Sequence, residues 1–148
     1  MRDMNKRGYN VLFFHSDKID YNNIVYLPVL RSNYLSNHRL TFTNNDKNIN
    51  TYYKELISRA DLIVLEVSNY DLGFSLEVKD SIISGKPILA LAKEDATVDE
   101  RFVKLLDNII KYKDENEFRY YVETFVKNYE GKINAGKVDP TLVLGVLN

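Results

Sequence analysis

The chain has no cysteine and no tryptophan, and His15 and His38 are its only histidines. Without cysteine it has no disulfide, no cysteine ligand for zinc and no thiol nucleophile. Because the two histidines are far apart in sequence, a metal site would need carboxylate ligands, and a Ser-His-Asp triad would need one of these two residues. The groups left for chemistry are carboxylates, hydroxyls and backbone amides.

An excess of charge of either sign is also missing, because 20 basic residues face 21 acidic ones and the net charge is −1. The sequence has no basic stripe that could follow a phosphate backbone, which argues against a nucleic acid polymer as partner. No apolar run is long enough to span a membrane. The first residues, MRDMNKRG, lack the apolar core of a signal peptide. We therefore expect a cytoplasmic protein without a membrane partner.

The composition is typical of a globular chain, with 45% hydrophobic and 28% charged residues, three prolines and six glycines. A length of 148 residues fits one domain. We expect residues 1–130 to form this α/β domain. Residues 131–148 would form a tail whose apolar stretch TLVLGVL docks on a neighbouring subunit.

Short apolar runs alternate along the chain with segments of helical periodicity. The runs predict five strands, at residues 10–15, 39–43, 61–67, 88–92 and 109–112. Helical spacing predicts helices at residues 51–60, 73–84, 98–107 and 115–129, with a polar loop at 44–50. Residues 16–37 are ambiguous, since helical spacing favours a helix that Pro28 kinks or breaks, and a strand over residues 24–30 is the alternative.

This alternation predicts a doubly wound, flavodoxin-like or Rossmann-like fold, with a five-stranded parallel sheet and helices on both faces. The expected strand order is 2-1-3-4-5. Folds of this class bind ligands at the carboxyl ends of the strands, where the strand order reverses. Here these ends are followed by the loops after His15, Val67 and Ala92.

The loop after the third strand carries the most informative residues, in the stretch SNYDLGFSLE at positions 68–77. Asp71 lies near the start of a helix, where a carboxylate or a bound anion is favoured. Gly73 permits close approach of the backbone to a ligand. Glu77 lies about one turn further and is expected to face the same crevice as a candidate nucleophile. Alternatively, Asp71 only caps the helix and Glu77 is only a solvated helix residue.

Residues 60–91, ADLIVLEVSNYDLGFSLEVKDSIISGKPILAL, resemble the nucleoside 2-deoxyribosyltransferase superfamily, which includes nucleotide N-glycosidases. The family pattern is an apolar strand beginning at Asp, a loop with Asp or Ser, a Gly, a small residue and a nucleophilic Glu. A Gly-Lys-Pro-type turn and another apolar strand follow. The matching positions in this chain are Asp61, Asp71, Gly73, Glu77, Gly85, Lys86 and Pro87.

The resemblance implies cleavage or transfer at the N-glycosidic bond of a nucleoside or nucleoside 5′-monophosphate. Glu77 would attack the sugar C1′ and form a covalent glycosyl-enzyme with net retention, and Asp71 would contact the sugar or its 5′ group. No cofactor is implied, because the carboxylate supplies the covalent step. Members of the family assemble with sites completed by a neighbouring chain, so a homodimer or higher homo-oligomer is expected.

Several positions depart from the family pattern. Tyr53 stands where the family has an Asp, Phe13 stands where it has a Tyr, and Ser75 replaces a Gly. His15-Ser16-Asp17 replaces a Gly-rich loop. Protonation of the leaving base therefore has three candidate donors, namely His15, Asp17 and the Tyr53 hydroxyl. A nucleotide-binding or regulatory relative without turnover remains an alternative.

A second resemblance concerns residues 9–20, which are similar to the first strand of TIR domains, some of which cleave the N-glycosidic bond of NAD. TIR domains prefer a Trp-Cys pair before their Glu, and this chain has neither residue. Both resemblances assign Glu77 to an N-glycosidic bond. The remaining expected substrate-binding residues are Phe13 and Phe14 against the base, Arg101 on a phosphate, and His15, Ser68, Asn69, Gly73 and Ser75 around the crevice.

Overall fold

The structure, a computed structural model, describes residues 8–43 and 53–134. Its centre is a five-stranded, all-parallel sheet in the order β2-β1-β3-β4-β5. The strands are β1 (Asn10–His15), β2 (Arg39–Phe42), β3 (Leu62–Glu66), β4 (Ile88–Lys93) and β5 (Ile109–Tyr112). Both the predicted doubly wound fold and its 2-1-3-4-5 order are confirmed.

Five α-helices accompany the sheet in the described residues. They are α1 (Leu27–Leu30), α2 (Tyr53–Arg59), α3 (Leu72–Ile83), α4 (Glu100–Leu105) and α5 (Glu115–Asn134). A π-helical turn, Asn22–Tyr26, precedes α1, and a 3-10 turn, Leu35–Asn37, follows it. Residues 21–30 and 35–37 are therefore helical, whereas residues 16–20 form a loop, and the alternative strand over residues 24–30 is wrong. Pro28 is the second residue of α1 and lies where the π-helical turn passes into the α-helix, so the prolyl residue, which has no N–H, coincides with the change of helix type.

The structure differs from the prediction at the end of the last helix, and two predicted segments lie outside the described residues. Helix α5 continues to Asn134, so the first four residues of the expected tail, 131–134, are helical. The remainder of that tail, residues 135–148, lies outside the described residues, and so does the predicted polar loop at 44–50. In the described residues, no helix is both long enough and apolar enough to cross a lipid bilayer.

The sheet separates two hydrophobic cores, because successive strand residues point to opposite faces. Phe13 and Val64 belong to the core that contains residues of α5 and of the helical segment around α1. Phe14 and Leu65 belong to the other core, with residues of α2, α3 and α4. Helices therefore cover both faces, as predicted.

Three residues singled out in the sequence, Asp61, Gly85 and Lys86, lie at the amino edge of the sheet, opposite the expected site. The Asp61 carboxylate accepts a hydrogen bond from the backbone N–H of Asn10 at 2.8 Å. The Lys86 ammonium donates to the carbonyl of Ala60 at 2.6 Å. Gly85 has φ +75° after α3, a backbone conformation that favours glycine. These residues connect the starts of β1, β3 and β4 and are distant along the strands from the carboxyl edge.

Candidate functional site

Asp71 joins two loops at the carboxyl edge of the sheet. Its Oδ1 accepts the Phe74 amide at 2.7 Å and so caps α3. Its Oδ2 accepts the Ser16 hydroxyl at 2.7 Å and the Asp17 amide at 3.3 Å, both from the loop after β1. Burial acts to raise the pKa of Asp71, but these hydrogen bonds outweigh it and hold the pKa below its ordinary value. The structure thus gives this carboxylate a capping role.

Glu77 lies less than two turns into α3 and is half-buried. Tyr53, at the first residue of α2, is 9% exposed and donates its hydroxyl to Asp80 Oδ2 at 2.7 Å. Burial, the bond to Asp80 and the charges of Asp80 and Glu77 together raise the pKa of Tyr53 to about 12. The bond to Asp80 therefore joins α2 to α3, and the phenol keeps its proton at neutral pH.

Phe13 and Phe14 lie on opposite faces of the sheet, and both are fully buried. The Phe13 ring packs against Phe42, with ring centroids 4.9 Å apart. The Phe14 ring meets Tyr53 edge to face at 6.2 Å. Since alternate strand residues face opposite ways, the two rings do not line one crevice, and neither exposes a face on which a base could stack.

His15 is 3% exposed at the end of β1, and both ring nitrogens are used within the protein. Nδ1 lies 3.0 Å from the carbonyl oxygen of Ser16, which can only accept, so Nδ1 carries the hydrogen. Nε2 then accepts the Tyr26 hydroxyl at 2.8 Å, and the ring stacks on Tyr21 at 4.4 Å. Burial lowers the pKa of His15. A neutral, enclosed imidazole of this kind has a structural role.

The other residues expected in the crevice occupy the loop after β3 and the first turns of α3. Ser68 is buried, and Asn69 beside it is half-buried. The Ser75 hydroxyl donates to the Leu72 carbonyl at 2.6 Å. Gly73 is exposed, and a Cβ atom added there would meet only Asp71 Oδ1, at 3.7 Å. The backbone at Gly73 is thus open to solvent.

Arg101 lies over this loop with its charge already paired. Its Nε and Nη2 each lie 2.8 Å from an oxygen of Asp99. The guanidinium carbon stands 3.6 Å from the centre of the Tyr70 ring. A substrate phosphate at Arg101 would have to displace or share the carboxylate of Asp99.

The structure adds a buried group that sequence analysis did not select. Glu66, the last residue of β3, is 1% exposed and accepts hydrogen bonds from Ser68 and from the Tyr112 hydroxyl. The sequence did contain a signal for Glu66, because it is the single carboxylate inside an otherwise apolar strand. Its partner Tyr112, 46 positions away, could not be identified from sequence spacing.

Two acidic groups therefore stand out on this side of the sheet, namely Asp71, which caps α3 at the carboxyl edge, and Glu77, which is half-buried on the second turn of α3. Within residues 8–43 and 53–134, no cluster of three or more His, Asp or Glu side chains could hold a metal ion. Comparison with protein-family models and with curated proteins finds no significant match to the chain.

Proposed function

We propose that the protein cleaves or transfers the N-glycosidic bond of a nucleoside or nucleoside 5′-monophosphate, with Glu77 as nucleophile. The observation that carries the proposal is that α3, which begins at the carboxyl edge, carries Glu77 on its second turn. Glu77 is half-buried, and its charge contributes to the raised pKa of Tyr53. Ligands of doubly wound folds bind at this edge. A carboxylate on the helix that begins at this edge, partly shielded from water, suits attack on a sugar carbon.

In the first step, a Glu77 oxygen forms a bond to C1′ while the bond from C1′ to the base nitrogen breaks. The electron pair of that bond leaves with the base, which takes up a proton. In the second step, water or another base attacks C1′ and releases the Glu77 carboxylate, giving net retention. Water yields hydrolysis and loses its proton, whereas a second base yields transfer.

The proton for the leaving base would come from Tyr53 or Asp17. Tyr53 is protonated at neutral pH, since its pKa is about 12, although its hydrogen already points to Asp80. Asp17 is exposed on the loop after β1, beside Asp71. His15 is a poorer candidate, because both of its nitrogens are engaged inside the protein.

Recognition of the sugar or 5′ group is assigned to the loop residues around Asp71, including Ser68, Asn69 and Gly73. Phe13 and Phe14 receive no role at the base, because both are enclosed.

A homo-oligomer in the cytoplasm remains part of the proposal. The outer face of α3 supports association with a second copy, since the apolar side chains of Leu72, Leu76 and Ile83 are exposed there. Light scattering of the purified chain tests this point.

The function is tested by incubating the protein with deoxynucleosides and their 5′-monophosphates, with and without a second free base, and measuring base release by chromatography. Glu77→Gln keeps the side-chain shape but removes the nucleophile, so we expect at least a 1,000-fold loss of release, or about 4 kcal/mol of transition-state stabilisation. Glu100→Gln, at an exposed position of α4, is the matched control and should retain wild-type rates.

The alternatives predict different results in the same panel. Ligand binding without base release, measured as a thermal shift, would favour the nucleotide-binding or regulatory relative. An added NAD arm tests the TIR-like alternative, which predicts release of nicotinamide. Release that survives Glu77→Gln would contradict the assigned nucleophile whatever the substrate.

A further inference from the structure

Glu66 is the most deeply buried carboxylate at the carboxyl edge of the described structure. A carboxylate that is 1% exposed is unfavourable unless donors surround it. Here Oε1 accepts the Ser68 amide at 2.8 Å, and Oε2 accepts the Ser68 hydroxyl at 2.7 Å and the Tyr112 hydroxyl. Three donors therefore converge on one interior group.

This network extends across three neighbouring strand ends. The Ser68 oxygen that donates to Glu66 also accepts the Lys93 amide at 2.7 Å. Lys93 ends β4 and Tyr112 ends β5, and the two residues are register partners. Glu66 thus connects the first residue of the loop after β3 to the ends of β4 and β5.

The end of the same loop that leads into α3 is held by residues of the loop after β1. Residues 68–71, the β3–α3 segment, run from Ser68 to the cap of α3. The Lys18 ammonium donates to the Tyr70 carbonyl at 2.9 Å, and the Ser16 hydroxyl donates to Asp71 at 2.7 Å. The segment is therefore held at its start by Glu66 and at its end by the loop after β1.

We infer that Glu66 is a positioning residue, which holds the β3–α3 segment so that α3, with Glu77 on its second turn, keeps its place on the sheet. The inference rests on the proposed function for the part that concerns Glu77. Glu66 itself is enclosed and would not touch a substrate. Its effect would pass through Ser68, and a small displacement of a reacting group is enough to lower a rate strongly.

A purely stabilising role for Glu66 makes a different prediction. It would lower the free energy of unfolding on substitution and leave the folded molecules fully competent. A positioning role would lower kcat of molecules that are folded, with little change in KM, because the misplaced group acts in the transition state more than in binding. The two roles are separated by kinetics well below the unfolding temperature.

The experiment uses Tyr112→Phe and Glu66→Gln, with Tyr120→Phe as control. Tyr112→Phe removes one donor from Glu66 and keeps the aromatic ring, and Tyr120 lies 61% exposed on α5. We expect Tyr112→Phe to lower kcat about 10-fold and Glu66→Gln about 10- to 100-fold, with KM within about twofold. Amide hydrogen exchange in residues 67–74 should accelerate in both variants and stay unchanged in the control.

The inference is overturned if both variants retain the kcat of Tyr120→Phe and the same exchange in residues 67–74. A wild-type protein without base release would refute the proposed function separately, since the exchange measurement needs no substrate. In that case accelerated exchange confined to residues 67–74 would still support the positioning of the segment by Glu66. Uniform acceleration over the whole chain would overturn it in favour of general stabilisation.

Discussion

The Ser16 hydroxyl lies 2.7 Å from Asp71 Oδ2 and donates a hydrogen bond to it, which joins the loop after β1 to the N-terminus of α3. The other oxygen of the same carboxylate caps α3 through the Phe74 amide. In a 2-1-3-4-5 sheet, the switch point where the strand order reverses lies between β1 and β3. One carboxylate therefore organises both sides of the place where a ligand is expected.

This relationship predicts a measurable coupling between the two residues. Asp71→Ala removes the cap and should lower the free energy of unfolding by about 1–2 kcal/mol. Ser16→Ala should cost about 1 kcal/mol. Urea denaturation of the two single variants and the double variant should give a coupling of at least about 0.5 kcal/mol. Additive effects would mean that the bond contributes nothing, and Asp71→Asn, which retains an acceptor, is the control.

The two histidines provide a second prediction, because burial lowers the pKa of His15 and of His38. Their ring protons form two separate sets of NMR resonances, and both should titrate below pH 6.5. Each histidine binds its titrating proton more tightly in the unfolded chain than in the folded one. The free energy of unfolding should therefore be constant above about pH 6.5 and should fall as the pH drops towards the folded pKa values. His38→Gln assigns the resonances, and titration of His15 at or above 6.5 would contradict its enclosed, neutral state.

Substitution by alanine should change the stability of the protein in opposite directions at two glycines. A Cβ atom at Gly8 would lie 2.2 Å from the Asn37 carbonyl oxygen and 2.8 Å from the His38 Cα, both backbone atoms. Gly8→Ala should therefore cost about 3 kcal/mol. At Gly73 the nearest atom lies 3.7 Å away, and alanine is the better helix former, so Gly73→Ala should stabilise the protein by up to about 1 kcal/mol.

The kinetics of Gly73→Ala add a functional readout to the same pair. If a ligand approaches the backbone at Gly73, KM should rise in this variant despite its greater stability. An unchanged KM would mean that the ligand does not approach the backbone at Gly73. Thermal denaturation and base release on the same preparations separate the two effects.

Burial raises the pKa of Glu66, with the bonds from Tyr112 and Ser68 opposing it. A carboxyl group whose folded pKa is raised binds its proton more tightly in the folded state. Its contribution to the free energy of unfolding therefore declines as the pH rises from about 4.5 through the raised value. We expect the stability of wild type relative to Glu66→Gln to fall over this interval in urea denaturation at pH 4, 5, 6 and 7. A difference that stays constant with pH would contradict the raised pKa.

The central strands β1, β3 and β4 could be predicted from the sequence because they are buried and consist of short, nearly continuous apolar runs. The edge strand β2 is only partly buried, and its signal was the alternation of residue types. Strand β3 lies within the predicted run 61–67, and β5 coincides with its prediction. Residues 16–37 were ambiguous for a physical reason. Pro28 is compatible with a break in a helix, a helix start or a strand edge, and only tertiary packing selects among them.

The candidate site was predictable only where its residues are neighbours in sequence. Asp71 caps α3 and Glu77 lies on its second turn, so their spacing follows from the sequence. The side-chain directions of Phe13 and Phe14 also follow from strand geometry, and their assignment to one crevice overlooked the alternation of adjacent strand residues. The occupied nitrogens of His15 depend on Tyr26 and on the Ser16 carbonyl, whose positions the loop conformation decides.

By itself, the sequence determined the parallel sheet, its strand order and the helix that Asp71 caps and that carries Glu77, because periodicity, chain order and local spacing specify these features. Only the tertiary structure decided the partners of those groups. Ser16 reaches Asp71 across 55 positions, Tyr53 reaches Asp80 across 27, and Tyr112 reaches Glu66 across 46. Such contacts depend on strand register and on how helices lie on the sheet, which are properties of the whole packed chain.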